Sequence, residues 1–260
     1  MNTISTPLDV KLMNATALLL YAAGALFALG LVVVWYLQSP FFAIQRITVV
    51  GDVTHTSAIT LRSNVASRLG GSFVTMDLAR AREVFETVPW VRRAVVKREF
   101  PNRLKVELQE HEAVAYWGAE GESRLVNSHG EVFEANTGEV EKEGLPRLNG
   151  PQGQGVQVLA AYQGLEPLFV DMDLALEQLE LTGRGSWQAR LDTGALLQLG
   201  RGSPAELLAR TQRFVNTLTE VTAKYGRKPD ALESADLRHE DGYAIRLRGV
   251  TTTEVQQKQK

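Results

Sequence analysis

The chain has 260 residues, a formal net charge of −2 and no cysteine. That length accommodates a membrane anchor plus one or two small domains. Lys and Arg are scattered with no basic face, which argues against a nucleic-acid binder, and without thiols there is neither a disulfide framework nor a thiolate zinc site.

Between Lys11 and Gln38 no residue is charged. At ~1.5 Å per residue the run Leu12–Leu37 covers about 39 Å, enough to cross a hydrocarbon core of ~30 Å with some tilt. Trp35 and Tyr36 stand at its far end, where amphipathic aromatics favour the headgroup layer. A cleaved signal peptide would have a shorter apolar region and a small-residue cleavage site, whereas here the apolar run continues through LVVVWYL. Residues 1–11 are therefore expected as a cytoplasmic tail and 12–37 as a transmembrane helix. Lys11 and the amino terminus point the start inward only weakly, but a long domain after one N-terminal span translocates largely regardless of its charge.

Residues 41–112 predict the order β-α-α-β-β. IQRITVVG reads as an apolar strand ended by a glycine turn, and Thr56 or Ser57 can cap a helix with Ile59, Val65 and Leu69 on one face, closed by Gly70-Gly71. Asp77 caps a second helix carrying Leu78, Ala81, Val84 and Phe85, and Pro89 stops it. Val91–Glu99 and Leu104–Leu108 flank the turn Phe100-Pro101-Asn102. This order, with the run Val88–Trp117, resembles the POTRA domain, a polypeptide-binding module that offers sheet edges to partner strands. The resemblance implies a recruitment role, with Arg93, Val96 and Arg98 on the strand after the second helix.

From Ala113 the pattern becomes hairpin-rich. Leu125–Asn127 and Glu131–Phe133 flank Ser128-His129-Gly130, and residues 134–155 read as a polar loop with at most one short strand. Val156, Leu159, Tyr162, Leu165 and Leu168 or Phe169 predict a helix. Trp187–Leu191 and Leu197–Leu199 flank the turn Asp192-Thr193-Gly194. Ser203-Pro204-Ala205-Glu206 forms a capping box with proline at the first helical position, opening a helix that Gly226 ends. Ala235 and Leu237, then Tyr243, Ile245 and Leu247, form a last hairpin, and Gly249–Lys260 is expected to be a disordered tail.

In that hairpin a two-residue loop would mix apolar and charged groups on one face. A three-residue loop pairs His239 with Tyr243, Leu237 with Ile245 and Ala235 with Leu247, and is the register expected. The last strand can be a sheet edge, a template for an incoming strand, and proline at Ala244 or Arg246 is expected to remove an edge donor.

Anchor, POTRA-like domain (41–112) and β-domain (113–248) together resemble the FtsQ/DivIB family of bacterial division proteins. The residues that carry the likeness are Leu145–Pro151, Arg184–Gly202, Ala209–Leu218 and Ala235–Leu247. Two departures stand out: a short N-terminal tail, and His239 where the Gram-negative branch often has tyrosine. The resemblance implies an α+β protein with a mostly antiparallel β-domain and flanking helices. It implies a single-pass inner-membrane protein, bulk periplasmic, that acts as a non-enzymatic scaffold at the septum. It further implies bitopic partners of the FtsB and FtsL type, met at Arg238, His239, Asp241, Gly242 and Tyr243 with Arg184 nearby. The alternative is a membrane-anchored POTRA-type binding or transport factor, against which stand the single POTRA copy and the lack of barrel strands.

No catalytic constellation rises above background: there is no G-x-S-x-G elbow, H-E-x-x-H or P-loop. Ser203 reads as a cap, not a nucleophile, and Asp171-x-Asp173 lacks a third acidic ligand. The four histidines share no spacing, and the glycines after Gly150 lack the spacing of a dinucleotide fingerprint. No cofactor, metal, nucleic acid or small-molecule substrate is expected.

Overall fold

The structure, a computed structural model, describes residues 8–37, 43–51, 53–140, 144–239 and 242–250. The N-terminal helix α1 is Leu8–Leu37, beginning four residues before the apolar run. Its segment Asp9–Tyr36 has mean hydropathy 2.5 and no protein covers it, so this helix is long and apolar enough to cross a membrane. By chain contacts the molecule divides into two compact units, Met1–Glu110 and His111–Lys260.

The POTRA-like domain of the first unit has the predicted order: β1 Arg46–Gly51, α2 Ala58–Val65, α3 Leu78–Glu86, β2 Val91–Glu99 and β3 Arg103–Glu110. The two-helix crossover lays β1 parallel to β3, while the short turn makes β2 antiparallel to β3, giving the order β1-β3-β2. Ser57 is the α2 cap, its Oγ accepting from the Thr60 amide at 3.1 Å. Asp77 caps α3 by accepting from the Ala79 and Arg80 amides at 2.8 and 3.2 Å. Phe85, Ala94, Val106 and Leu108 are buried together between α3 and the sheet. At the end of β1, Gly51 has φ +111° and a Cβ there would lie 2.2 Å from the Leu108 carbonyl oxygen, so the strand can end against β3 only as glycine.

Two expectations fail here. Helix α2 ends at Val65, not near Leu69, and Ile59 points to solvent at 82% exposure while Leu61 and Val65 enter the core. The spacing Ile59–Val65–Leu69 is six and four, and six residues turn a helix by ~600°, far from one face. Trp90 is buried as expected, in the left-handed region at φ 72°, with its ring stacked on His55 at 4.0 Å.

The second unit carries β4 Ala113–Trp117, β5 Arg124–Asn127, β6 Val132–Glu134, β7 Arg147–Asn149, α4 Gly155–Leu165, α5 Pro167–Val170, β8 Leu176–Leu181, β9 Ser186–Leu191, β10 Leu196–Arg201, α6 Pro204–Lys224, β11 Leu232–Asp236 and β12 Ala244–Leu247. The strands form one sheet in the order β12-β11-β10-β9-β8-β7-β4-β5-β6. Five of its pairings are antiparallel (β4/β5, β5/β6, β8/β9, β9/β10, β11/β12) and three are parallel (β4/β7, β7/β8, β10/β11). The parallel pairs arise where a helix or a long loop returns the chain to the same end of the sheet. The one short strand allowed between residues 134 and 155 is β7, and it lies in the middle of the sheet with Leu148 fully buried.

Helix α6 opens with the expected capping box, Ser203 Oγ accepting from the Glu206 amide while the Glu206 carboxylate accepts from the Ser203 amide at 2.8 Å. Its buried stripe, Leu207, Thr211, Phe214 and Leu218, lies in a core that includes Leu197, Leu199 and Leu237. In α4 the core takes Val158, Leu159, Ala161 and Leu165, but Val156, expected on that face, is 61% exposed. The disordered tail expected over Gly249–Lys260 is corrected at its start, where Val250 packs partly buried against the core and the Gly249 carbonyl accepts from Arg227; Thr251–Lys260 lies outside the described residues.

The last hairpin corrects the expected register. Asp236 pairs with Ala244, Ala235 with Ile245 and Ser234 with Arg246, two residues away from the three-residue-loop alignment. A slip of two keeps every side chain on its expected face, so Ala235, Leu237, Ile245 and Leu247 still point to the core. The connection is correspondingly longer, from Leu237 to Tyr243, and Glu240 and Asp241 within it lie outside the described residues.

Candidate interaction site at the terminal strand

The terminal strand is built from both sides. On its core face Tyr243 leans on α6, its ring edge-on to Phe214 with centroids 5.0 Å apart, and its hydroxyl shares a 2.6 Å hydrogen bond with Thr217. On β11 the Asp236 carboxylate accepts from Arg238 Nε at 2.9 Å and Nη2 at 2.6 Å, and from the Arg238 amide at 3.0 Å. The Arg238 guanidinium thereby holds the Asp236 carboxyl down to about 2 and raises its own pKa in return. This local clasp shapes the chain just beyond β11.

Strand β12 is the outermost of the sheet, so one side of its backbone is unpaired within it. Which amides face out follows from two hydrogen bonds. The Leu237 amide donates to Gln198 on β10 at 2.9 Å, so along β11 the amides of Asp236 and Ser234 face β12. The Arg248 amide donates inward to Ala231 at 2.8 Å, and by the same alternation Ala244 and Arg246 donate to β11. Ile245 and Leu247 therefore turn their amides outward. Proline at Ala244 or Arg246 would break the hairpin's own ladder, which corrects the expectation that those positions test the edge.

Two hollows adjoin this end of the sheet. Arg184, in the turn between β8 and β9, lines one together with Arg201, Arg210 and Arg238. The other is lined by Arg210, Arg213, Phe214, Thr217, His239, Gly242 and Tyr243, so Arg210 is common to both. Arg210 is half-buried and held by the carbonyls of Leu199 and Arg201, and Gly200 makes room for it. A Cβ at Gly200 would sit 3.0 Å from both Arg210 Nη1 and Arg238 Cγ, at a φ of +83° that disfavours side chains in any case.

Five of the six residues expected at this site are thus gathered around two neighbouring hollows; Asp241 lies outside the described residues. Arg201, Arg210 and Arg213 were missed. Their signal was the i, i+3 pair Arg210/Arg213 on the capped helix, preceded at the same end by Gly-Arg-Gly. The three POTRA candidates are not gathered. Arg93 is exposed, Val96 packs against the domain core, and Arg98 donates to the carbonyls of Phe73, Val74 and Met76 at 2.6, 3.3 and 2.5 Å. Among the described residues no group of three or more His, Asp or Glu could hold a metal.

Residues 115–238 match the C-terminal model of the cell division protein FtsQ/DivIB, and residues 42–111 match the FtsQ-type POTRA domain. The chain belongs to the FtsQ/DivIB family. It is 37% identical to a cell division protein FtsQ of Thiomonas arsenitoxydans over 94% of this chain and 89% of that one. To the FtsQ of Burkholderia pseudomallei it is 39% identical, over 88% of this chain and 92% of the relative, and to that of Bordetella pertussis 35%, over 92% of each. The FtsQ/DivIB match ends at Arg238, so β12 lies beyond it.

Proposed function

We propose that this FtsQ-family chain is a non-enzymatic scaffold of the division septum that captures a bitopic partner of the FtsB or FtsL type on β12. In this reading α1 crosses the inner membrane with residues 1–11 in the cytoplasm, and residues 41–112 and 113–248 act as periplasmic domains. The observation that carries it is the free edge of β12, with the Ile245 and Leu247 amides turned outward, beside hollows lined by Arg184, Arg201, Arg210, Arg213 and Arg238. An incoming strand would take its main-chain hydrogen bonds from β12, and acidic side chains flanking it would meet the arginines. Arg238, His239, Gly242 and Tyr243 line the hollows at that end with Arg184, and Asp241 is proposed as a further partner contact. Within the POTRA domain, Arg93 is the recruitment candidate that the fold leaves to solvent, whereas charge reversal at Arg98 would also cut three hydrogen bonds.

The test is Ile245→Pro beside Ala244→Pro in the full-length protein, with co-purification of the partners from membranes. Ile245→Pro removes an outward donor and should abolish capture. Because the Ile245 side chain also packs partly buried on the core, Ile245→Ala, which loses that packing and keeps the donor, is the control and should retain capture at a lowered melting temperature. Ala244→Pro should lower the melting temperature. Undiminished capture by Ile245→Pro would put the partner elsewhere.

A further inference from the structure

The membrane-proximal end of the POTRA domain can be identified from its hydrogen bonds. Strand β1 starts at Arg46, and Arg46 stands beside Arg103 at the start of β3. Glu99, at the end of β2, pairs with the same Arg103, so the β2–β3 turn, Phe100–Asn102, closes the same end of the sheet. The Gln45 amide donates to the Asn102 carbonyl at 3.0 Å and ties the incoming chain to that turn. Only eight residues separate Leu37, the end of α1, from Gln45 inclusive, a reach of at most ~28 Å. Arg98 pins the Phe73–Met76 segment to the same end through its three carbonyl hydrogen bonds.

The surface there has an unusual make-up. Phe100 is 81% exposed at the tip of the turn, and Val74 is exposed in the segment held by Arg98. Arg46 and Arg103 are exposed neighbours in the strand register, with Glu99 and Asp77 the acidic groups at this end. An exposed aromatic tip with two exposed arginines at the same end matches the make-up of segments that rest in the headgroup layer: the ring enters the acyl boundary and the guanidinium groups pair with phosphates. Exposure alone does not make this case, because Ile59 is equally exposed at 82%. Ile59, however, begins α2, after β1 has ended, and so lies at the opposite end of the sheet.

We propose that the β2–β3 turn of the POTRA domain is a second membrane contact, with Phe100 seated in an anionic phospholipid surface and Arg46 and Arg103 on its phosphates. The contact would fix the orientation of the domain on the bilayer next to its anchor. It rests on the reading that α1 spans the membrane, and the test separates the two.

The chain has no cysteine, so single-cysteine variants carry one label each. Leu26→Cys, Phe100→Cys and Ile59→Cys, labelled with an environment-sensitive fluorophore, are reconstituted as full-length protein. The vesicles contain phosphatidylethanolamine and phosphatidylglycerol with brominated acyl chains. Quenching is expected at positions 26 and 100 and not at 59. Adding Arg46→Glu and Arg103→Glu to Phe100→Cys should remove about half or more of the quenching at 100 and leave the same label at 26 unaffected. Quenching at 26 with position 100 no different from 59 overturns the contact while leaving the span in place. No quenching at 26 overturns the span, and the contact with it.

Discussion

The two hairpins that close the two sheets are built on different principles. In the POTRA domain, β2 and β3 are joined by three residues, and the pairing runs without interruption from Glu99/Arg103 to Arg93/Gln109. Turn and strands agree locally, and the register is the one that the turn dictates. In the β-domain, β11 and β12 are joined by a longer connection, and their register is set from outside. Tyr243 is seated on Phe214 and Thr217 of α6. A hairpin whose alignment depends on a helix some thirty residues earlier is free to lengthen its loop. The longer connection is compatible with the role proposed for this edge.

That contrast predicts a steep asymmetry. Phe214→Ala removes a fully buried ring on which Tyr243 leans, so it should destabilise the β-domain by ~3–5 kcal/mol and speed amide exchange along Ala244–Leu247. Phe100→Ala at the exposed first turn should cost less than ~0.5 kcal/mol in a urea melt. Equal costs would mean that the second register is as local as the first. Tyr243→Phe keeps the ring and removes the hydroxyl, so a loss of ~0.5–1.5 kcal/mol is expected, with the register unchanged by amide exchange.

The smallest effect is in acid. Folding lowers the Asp236 carboxyl from 3.8 to about 2, so the Asp236–Arg238 pair adds stability that is fully present above about pH 4 and is lost as the pH falls through about 2. Arg238 is 60% exposed, so solvent screens much of the gain. Asp236→Asn should lower the melting temperature slightly above about pH 4, where the pair contributes, and its difference from the parent should vanish as the pH falls through about 2; a difference that does not change with pH would remove the clasp from the account of the hairpin.

What was legible in the sequence was short-range. Helix α1, the caps Ser57, Asp77 and Ser203, the stop at Pro89 and the alternation of the last two strands each depend on residues a few positions apart. So does the parity of the terminal strand, which survived a two-residue error in register because side-chain direction repeats every two residues.

Tertiary pairing decided the rest. Strand β8 was not foreseen because a bulge between Leu176 and Gln178 spaces its buried leucines at 176, 179 and 181, which breaks the alternation that marks a strand. The three residues of β7 carry almost no signal of their own, and they form a central strand only because β4 and β8 supply ladders on both sides. The arginine-lined hollows join the β8–β9 turn, the end of β10, α6 and the end of β11, segments with no sequence relation to one another. Capping, periodicity and turn chemistry are properties of a few neighbouring residues and can be read along the chain. Strand order, register and the meeting of distant side chains are properties of the closed sheet, and they exist only once it has formed.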